Sequence, residues 1–395
     1  MNILLAHNSY QQPGGEDVAF EQERHVLECA GHHVSVYQRS NWEIESYPGA
    51  KGLALLARTA WSFETQREVA KVLERERPHL VHVHNTFFMI SPSIYAACHD
   101  ANVPVVQTLH NYRLFCPGGA FFRNGHLCEE CVEHSVWRGA RYGCYRESRP
   151  ATTAVAVMLA VNRMLHTWDR LVDCYIAPSE FARRKFVEAG LPPEKTCVKF
   201  NFVHPDPGEA VDAGEYALCV GRLSPEKQVG TLLAAWRHLH SRIPLLIVGS
   251  GRQRLELEGI AARHDLATVR FEGQLPRDRT LATIKAARFL VFCSGWYDIF
   301  PHVIVEAFAC GIPVICPRLG VMQEIVADGH SGLHFAPGNP ADLAEKVEWA
   351  WAHPASMRAM GREARKEYET KYTAEKTYGT LMEIYQNVLR PVSDR

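Results

Sequence analysis

Short apolar runs alternate with helix-length segments along this chain, and they do so in two separate series. The first series is Asn2 to His7, a helix from about Asp17 to Ala30, then His33 to Tyr37, His79 to His84 and Val103 to His110. The second is Tyr216 to Val220, Pro244 to Val248, Thr268 to Glu272, Arg288 to Cys293 and Pro313 to Cys316. Strands joined through helices run parallel, because each crossover returns the chain to the same end of the sheet. Two doubly wound α/β domains are therefore expected. With 395 residues and 47% hydrophobic content, the chain is long and apolar enough to bury two cores. Pro192-Pro193 and the turn-forming run Asn201 to Glu209 mark the expected linker.

A formal net charge of −1 gives no global attraction for nucleic acid, so no nucleic-acid partner is expected. The longest apolar stretch, Ala151 to Val161, is well short of the ~20 residues a membrane span needs. Met1 to His7 reads as a strand with no basic leader before it, so no signal peptide and a cytoplasmic location are expected. Cys174, Cys219, Cys293 and Cys316 sit in apolar runs, as buried free thiols do. Cys116, Cys128, Cys131 and Cys144 differ, since they crowd one loop-rich segment. The Cys128-Glu-Glu-Cys131 spacing suits chelation, so this set reads either as a structural tetrahedral zinc site or as free or redox-active thiols.

The run Gly221-Arg222-Leu223-Ser224-Pro225-Glu226-Lys227 directly follows the apolar run ending at Val220. A planar guanidinium and a mobile ammonium at a strand's carboxyl end make a grip for a diphosphate; the plain alternative is a solvated turn. Further on come Asp298-Ile299-Phe300-Pro301 and Glu306-Ala307-Phe308. Asp298 reads either as a ligand-binding acid or as a loop residue capping the next helix, and Glu306 as a first-turn helix acid that is also able to bind ribose. Other nucleotide sites are excluded: Gly249-Ser250-Gly251 lacks the third glycine of a dinucleotide fingerprint, Arg254 standing there, and no Gly-Lys pair exists for a Walker loop.

Together these motifs resemble the retaining glycosyltransferases of family 4, a group that includes sucrose and sucrose-phosphate synthases and lipopolysaccharide and mannosyl transferases. The resemblance covers nearly the whole chain. It implies the α/β GT-B fold: two Rossmann-like domains facing each other across a cleft. Domain bounds of 1–204 with a cysteine-bearing insertion at about 113–150, then 205–372, are expected. Residues 373–395, with Tyr378, Leu381, Met382, Ile384 and Tyr385, would form a helix that returns to the first domain; the residues alone equally allow a solvent-facing helix. The resemblance further implies that Arg222 and Lys227 hold the donor diphosphate, while Asp298 and Glu306 bind the donor sugar and ribose, flanked by Phe300 and Pro301. Gly221, Gly249 and Gly251 would pass close to the nucleotide, and Gly14 and Gly15 would face its phosphates, the alternative for these two being an ordinary left-handed turn. His110 would lie beside the reacting carbon. Gly320, Glu324, Asp328, Gly329 and Gly332 resemble the family's closing donor-domain segment and equally fit a plain helix, turn and strand. Two positions depart from the family pattern: Asp298 replaces a Glu, and Asn111 replaces the Asp that usually follows the His.

The implied reaction moves a hexose from a UDP- or GDP-sugar to a glycan or polyprenyl-diphosphate-linked acceptor in cell-surface polysaccharide synthesis. Arg222 and Lys227 would supply the charge that a divalent metal supplies elsewhere, so no catalytic cofactor is expected. The donor diphosphate would take the acceptor's proton. Trp137, Arg138, Arg141, Arg146 and Arg149, beside an apolar segment with Met158, Leu159, Met164 and Leu165, read as a peripheral contact with the inner face of the plasma membrane or with a polyprenyl diphosphate carrier, or as a solvated face. His82 and His84 share a strand face, but no acidic cluster follows nearby, so they are expected to be cleft-lining or satisfied polar groups and not metal ligands. A sugar-nucleotide epimerase of the same fold, or a nucleotide-sugar-binding protein without turnover, are the rival readings.

Overall fold

Two six-stranded parallel sheets carry the chain in the computed structural model, which describes residues 1–11, 14–46, 57–210 and 214–390. The first half contributes β1 (Asn2–Ser9), β2 (His33–Ser40), β3 (Leu80–Asn85), β4 (Val105–Thr108), a two-residue antiparallel hairpin of β5 (Phe122–Arg123) and β6 (His126–Leu127), then β7 (Cys174–Ala177) and β8 (Thr196–Val198). The second half contributes β9 (Ala217–Val220), β10 (Leu245–Val248), β11 (Val269–Gly273), β12 (Phe289–Val291), β13 (Val314–Pro317) and β14 (Gly332–Phe335). The expected doubly wound α/β architecture is thus present in each half. The strands fall on the expected runs with shifted ends: β1 and β2 run on to Ser9 and Ser40, β4 is shorter at both ends, and β7, β8 and β14 complete the sheets.

The strand orders are β2-β1-β3-β4-β7-β8 and β11-β10-β9-β12-β13-β14. In the first sheet the chain steps outward from β1 to β2 and then restarts on the other side with β3. In the second it steps from β9 through β10 to β11 and restarts at β12. Each restart parts two connecting loops at the carboxyl ends of neighbouring strands, where open α/β sheets take ligands. Ligand-bearing loops are therefore predicted after β1 and β3 in one sheet and after β9 and β12 in the other.

The cores follow from helices covering these sheets. β3 is buried at every position, His82 and His84 included, as expected for a strand covered on both faces. In the second half, Leu232, Leu233 and Trp236 of the helix Val229–Trp236 pack with Ala217, Leu245, Ile247 and Phe289. Two compact units result: Met1–Phe121, Cys128–Asn201 and Thr377–Arg395 in one, Phe122–Leu127 and Phe202–Lys376 in the other. Pro192-Pro193 is not part of a linker. It precedes a short 3-10 turn, Pro193–Lys195, that leads straight into β8, so the prolines shape a turn inside the first unit. Among the described residues no helix is long and apolar enough to cross a membrane.

The final helix, Ala374–Leu389, places Leu381, Ile384, Tyr385 and Val388 in one core with Ile3, Leu5, Phe20, Leu27, Leu80, Val106 and Ile176. The end of the chain thereby covers the first sheet. Leu381 is 2% exposed, so Leu381→Ala is expected to destabilise the first unit by about 2–5 kcal/mol through lost burial and the cavity left behind. Denaturant unfolding followed by tryptophan fluorescence measures this.

Candidate active site

In the second unit, the turns after β9 and β10 lie backbone to backbone. The Gly221 amide donates to Val248 at 3.0 Å, the Leu223 amide to Ser250 at 3.0 Å, and the Gln253 amide to Leu223 at 3.1 Å. A Cβ at Gly249 would sit 1.9 Å from the Gly221 carbonyl oxygen, and one at Gly251 2.3 Å from that of Leu223. The close approach expected of these glycines is therefore required by the protein's own neighbouring turn, before any nucleotide is considered.

That packing sets the turn on which Arg222 and Lys227 lie. Arg222 is exposed. The Lys227 ammonium stands 3.0 Å from each carboxylate oxygen of Asp298 and lies over the rings of Phe292 and Trp296 at 5.1 and 5.3 Å. Ser294 Oγ donates to Asp298 Oδ2 at 2.7 Å, and the Gly295 amide to the Glu226 carbonyl at 2.9 Å. The loops after β9 and β12 are thus clasped around one ion pair. Asp298 does not cap the following helix, His302–Ala309, whose N-cap is Pro301 with no side-chain cap bond. Phe300 is buried against Tyr372 and His302, with ring centroids 6.0 and 5.5 Å away, so its side chain belongs to the packing.

Glu306 lies beyond the first turn of its helix, which holds no acid, so the helix dipole gives no reason for it there. Burial raises its pKa, and the Arg277 guanidinium, 3.8 Å away, pulls it back. Arg277 donates from Nη1 to the His204 carbonyl at 2.9 Å, while Nε and Nη2 are buried with no hydrogen-bond partner. A sequence reading misses Arg277; its signal is a basic residue at the start of a helix, directly after Pro276.

In the first unit, Gly14 is the N-cap of the helix Gly15–Cys29, at φ −130 and ψ −170, so it is extended and not a left-handed turn. Its amide donates to Asp17 Oδ2 at 2.7 Å, and the other oxygen of Asp17 lies 2.9 Å from His7 Nε2. Glu16 accepts from Asn85 Nδ2 at 2.8 Å and from Asn111 Nδ2 at 3.4 Å. Burial first, then the charge of Asp17, pushes the Glu16 carboxyl up to about 8 against the opposing pull of Arg113. This gives position 111 a physical reason for its amide, since an Asp there would set a second carboxylate against Glu16 instead of a donor.

His110 follows β4, and its Nε2 lies 3.0 Å from Nδ1 of His84. His84 Nε2 lies 3.2 Å from Glu23 Oε1, His82 Nδ1 2.8 Å from the same oxygen, and Lys199 Nζ 2.7 Å from Glu23 Oε2. A pocket in this unit is lined by His84, Asn85, Gln107, His110, Asn111 and Arg113 among others. Glu23, His82 and His84 are the one group among the described residues whose ligand atoms all lie close enough to hold a metal ion. The acid missing near the two histidines in sequence is thus supplied by a helix. Lys199 already meets that carboxylate, however, so the histidines are satisfied polar groups, and His84 also lines the pocket.

The four cysteines of the loop segment gather loosely. Cys116 and Cys131 are buried, Cys128 and Cys144 partly so. Burial, then the neighbouring thiols of Cys116, Cys144 and Cys128, push Cys131 up to about 12, while the Gly139 amide donates to it. They do not form a set as tight as the Glu23 group. Nearby, Met158 and Leu159 face the core of the helix Arg149–Met164, leaving Met164, 72% exposed, and Leu165 on the surface with Trp137 and Tyr142. The expected apolar face is therefore narrower than the sequence suggests.

Residues 14–207 match the family described as Glycosyltransferase Family 4, and residues 204–367 that described as Glycosyl transferases group 1. A glycogen synthase of Mycobacterium tuberculosis is 32% identical over 330 residues, covering 78% of this chain and 69% of its own. An uncharacterized glycosyltransferase of Methanocaldococcus jannaschii is 30% identical over 173 residues, 44% of this chain and 48% of its own. The chain spans about half the length of this relative. HepE of Anabaena in complex with UDP-glucose superposes with a TM-score of 0.67 at 18% identity, covering 98% of this chain and 99% of that one, a likeness of fold.

The raised Glu16 pKa has a consequence for stability. A carboxyl raised on folding adds stability below its unfolded pKa and loses it as pH rises through the folded value of about 8. Glu16→Gln, which mimics the protonated acid, should leave Tm nearly unchanged at pH 5 and raise it at pH 9. Thermal unfolding at the two pH values decides this, and an equal effect at both removes the assignment.

Proposed function

Because the chain belongs to the family 4, group 1 glycosyltransferases, we propose that it moves a hexose from a UDP- or GDP-sugar to a hydroxyl of a glycan or lipid-linked acceptor. The observation that carries this reading is the Lys227–Asp298 clasp at the second sheet's restart point, with Arg222 exposed on the same turn. A diphosphate needs preorganised positive charge where its leaving oxygen develops charge. Arg222 and Lys227 offer it, and Asp298 holds the ammonium in position until the donor arrives. Glu306 and Arg277 lie on two helices of this unit, His302–Ala309 and Arg277–Lys285, and are assigned to the nucleoside and its phosphates. Gly14, Gly15 and His110 of the first unit are assigned to the donor phosphates and the transferred sugar.

The transfer proceeds with retention. The bond from the anomeric carbon to the diphosphate oxygen breaks, the acceptor oxygen bonds that carbon on the same face, and the acceptor's proton passes to the departing diphosphate. No step needs a protein nucleophile or a divalent ion. We assign the product to cell-surface polysaccharide and the enzyme to the cytoplasmic side of the membrane, supported by exposed Trp137, Tyr142 and Met164 beside Arg138 and Arg141.

Arg222→Ala and Lys227→Ala should each lower transfer on the order of 10²-fold, the loss typical of one electrostatic donor. Asp298→Asn should lower transfer while leaving affinity for the free nucleoside diphosphate unchanged or raised, since the ammonium loses a competing partner. Transfer should persist in EDTA. Calorimetry with UDP and GDP, together with acceptor-dependent transfer from their hexose conjugates, tests all three; near-parental transfer by both alanine variants sinks the reading.

We also propose that Cys116, Cys128, Cys131 and Cys144 take one structural zinc, which would draw the loosely gathered thiols together as thiolates. Elemental analysis of protein purified without added metal should find about one zinc per chain, lost in Cys131→Ser. Metal-free protein with four freely titrating thiols ends this idea.

A further inference from the structure

We propose that Lys199, Glu23 and His84 form a buried chain that fixes which nitrogen of His110 carries its proton, making them positioning residues for that histidine. Its functional meaning rests on the assignment of His110 to the transferred sugar; its physical content does not.

The chain can be followed proton by proton. Glu23 and Lys199 have side chains 4% and 1% exposed and meet at 2.7 Å. Burial opposes the charge on Glu23, but Lys199, His82 and His84 outweigh it and hold its carboxyl well below the usual range. Glu23 is therefore a carboxylate, able only to accept hydrogen bonds. His84 Nε2, 3.2 Å from Glu23 Oε1, must then carry a hydrogen. His84 itself is neutral: burial, then His82, push it down to about 3. A neutral imidazole with its hydrogen on Nε2 has a bare Nδ1. That bare nitrogen stands 3.0 Å from Nε2 of His110 and can only accept, so His110 must donate from Nε2.

The ring geometry agrees. The two rings are within 19° of parallel with centroids 5.2 Å apart. For a nitrogen separation of 3.0 Å, that is nearly the contact plus two ring radii, so the rings meet edge to edge, as an in-line N–H···N bond requires. When His110 is neutral, a proton on Nε2 leaves Nδ1 as the acceptor on the opposite edge of the ring. His82 Nδ1 meets the same Glu23 oxygen as His84 and is itself held by Tyr385 and Thr108, at 2.7 and 2.8 Å. A metal would compete with Lys199 for the same carboxylate, and the ammonium already supplies the positive charge there.

Nitrogen-15 spectroscopy of histidine-labelled full-length protein tests the arrangement without substrate. The expected spectrum has His84 neutral with a protonated Nε2 and a bare Nδ1, and a scalar coupling from that Nδ1 across the hydrogen bond to Nε2 of His110. A proton on His84 Nδ1, a charged His84 at neutral pH, or no coupling in the folded parent overturns the proposal. Two variants give the functional readout. Asn places a carbonyl oxygen near the position of Nδ1, whereas Leu offers no acceptor. His84→Leu should lower kcat for sugar transfer on the order of 10- to 100-fold, with donor KM little changed, and His84→Asn should restore most of it. Equal loss in both variants means packing alone and overturns the positioning role. If the coupling is seen but neither variant transfers differently from the parent, the chain stands and the assignment of His110 to the sugar falls.

Discussion

A carboxylate taken out of water must be met by opposite charge already in place, and in the first unit that carboxylate is Glu23. Its helix lies on the sheet through Phe20 and Leu27, and on that same face Glu23 reaches Lys199, which follows β8. The ion pair therefore joins the first helix of the unit to the end of its outermost strand. Removing one partner of such a pair leaves a buried charge and costs about 3–5 kcal/mol. The histidines that converge on Glu23 therefore meet a carboxylate whose counter-charge comes from the far end of this long stretch of chain.

The second unit carries an ion pair of a different kind. The side chains of Lys227 and Asp298 are 21% and 9% exposed, against 1% and 4% for Lys199 and Glu23. A pair that keeps contact with water is worth less and can exchange one partner for another anion without stranding a charge. The first pair is thus part of the framework, and the second suits the role proposed for it, a pair that a ligand can open. Depth decides the difference, since the chemical groups are the same.

The central strands were legible because parallel strands covered on both faces read as continuous apolar runs. The edge strand β8 was not: it is three residues, Thr196–Val198, too short for any period, and it follows prolines that look like a linker. Lys227 and Asp298 were each legible as motif residues, but their direct contact was not, because 71 residues separate them. Glu23 had a signal in the sequence. It falls between Phe20 and Leu27 on the buried stripe of an amphipathic helix, where a lone carboxylate implies a hidden partner. The histidines of β3 were judged by their neighbours along the chain, and the acid they meet comes from this helix. Glu306 was misplaced by a turn because the start of its helix is set by Pro301, a boundary the apolar pattern does not mark.

The pinch between the turns after β9 and β10 limits how this protein can be altered. Gly249 and Gly251 have no volume to give, because any side chain there would drive into the backbone of Gly221 or Leu223. Between them only Ser250 is exposed, its hydroxyl bonded to Gln274 at 3.2 Å. Directed evolution of the stretch from Gly249 to Gly251 therefore has one variable position, and substitutions at either side of it will be purged by the fold before selection for any new specificity begins.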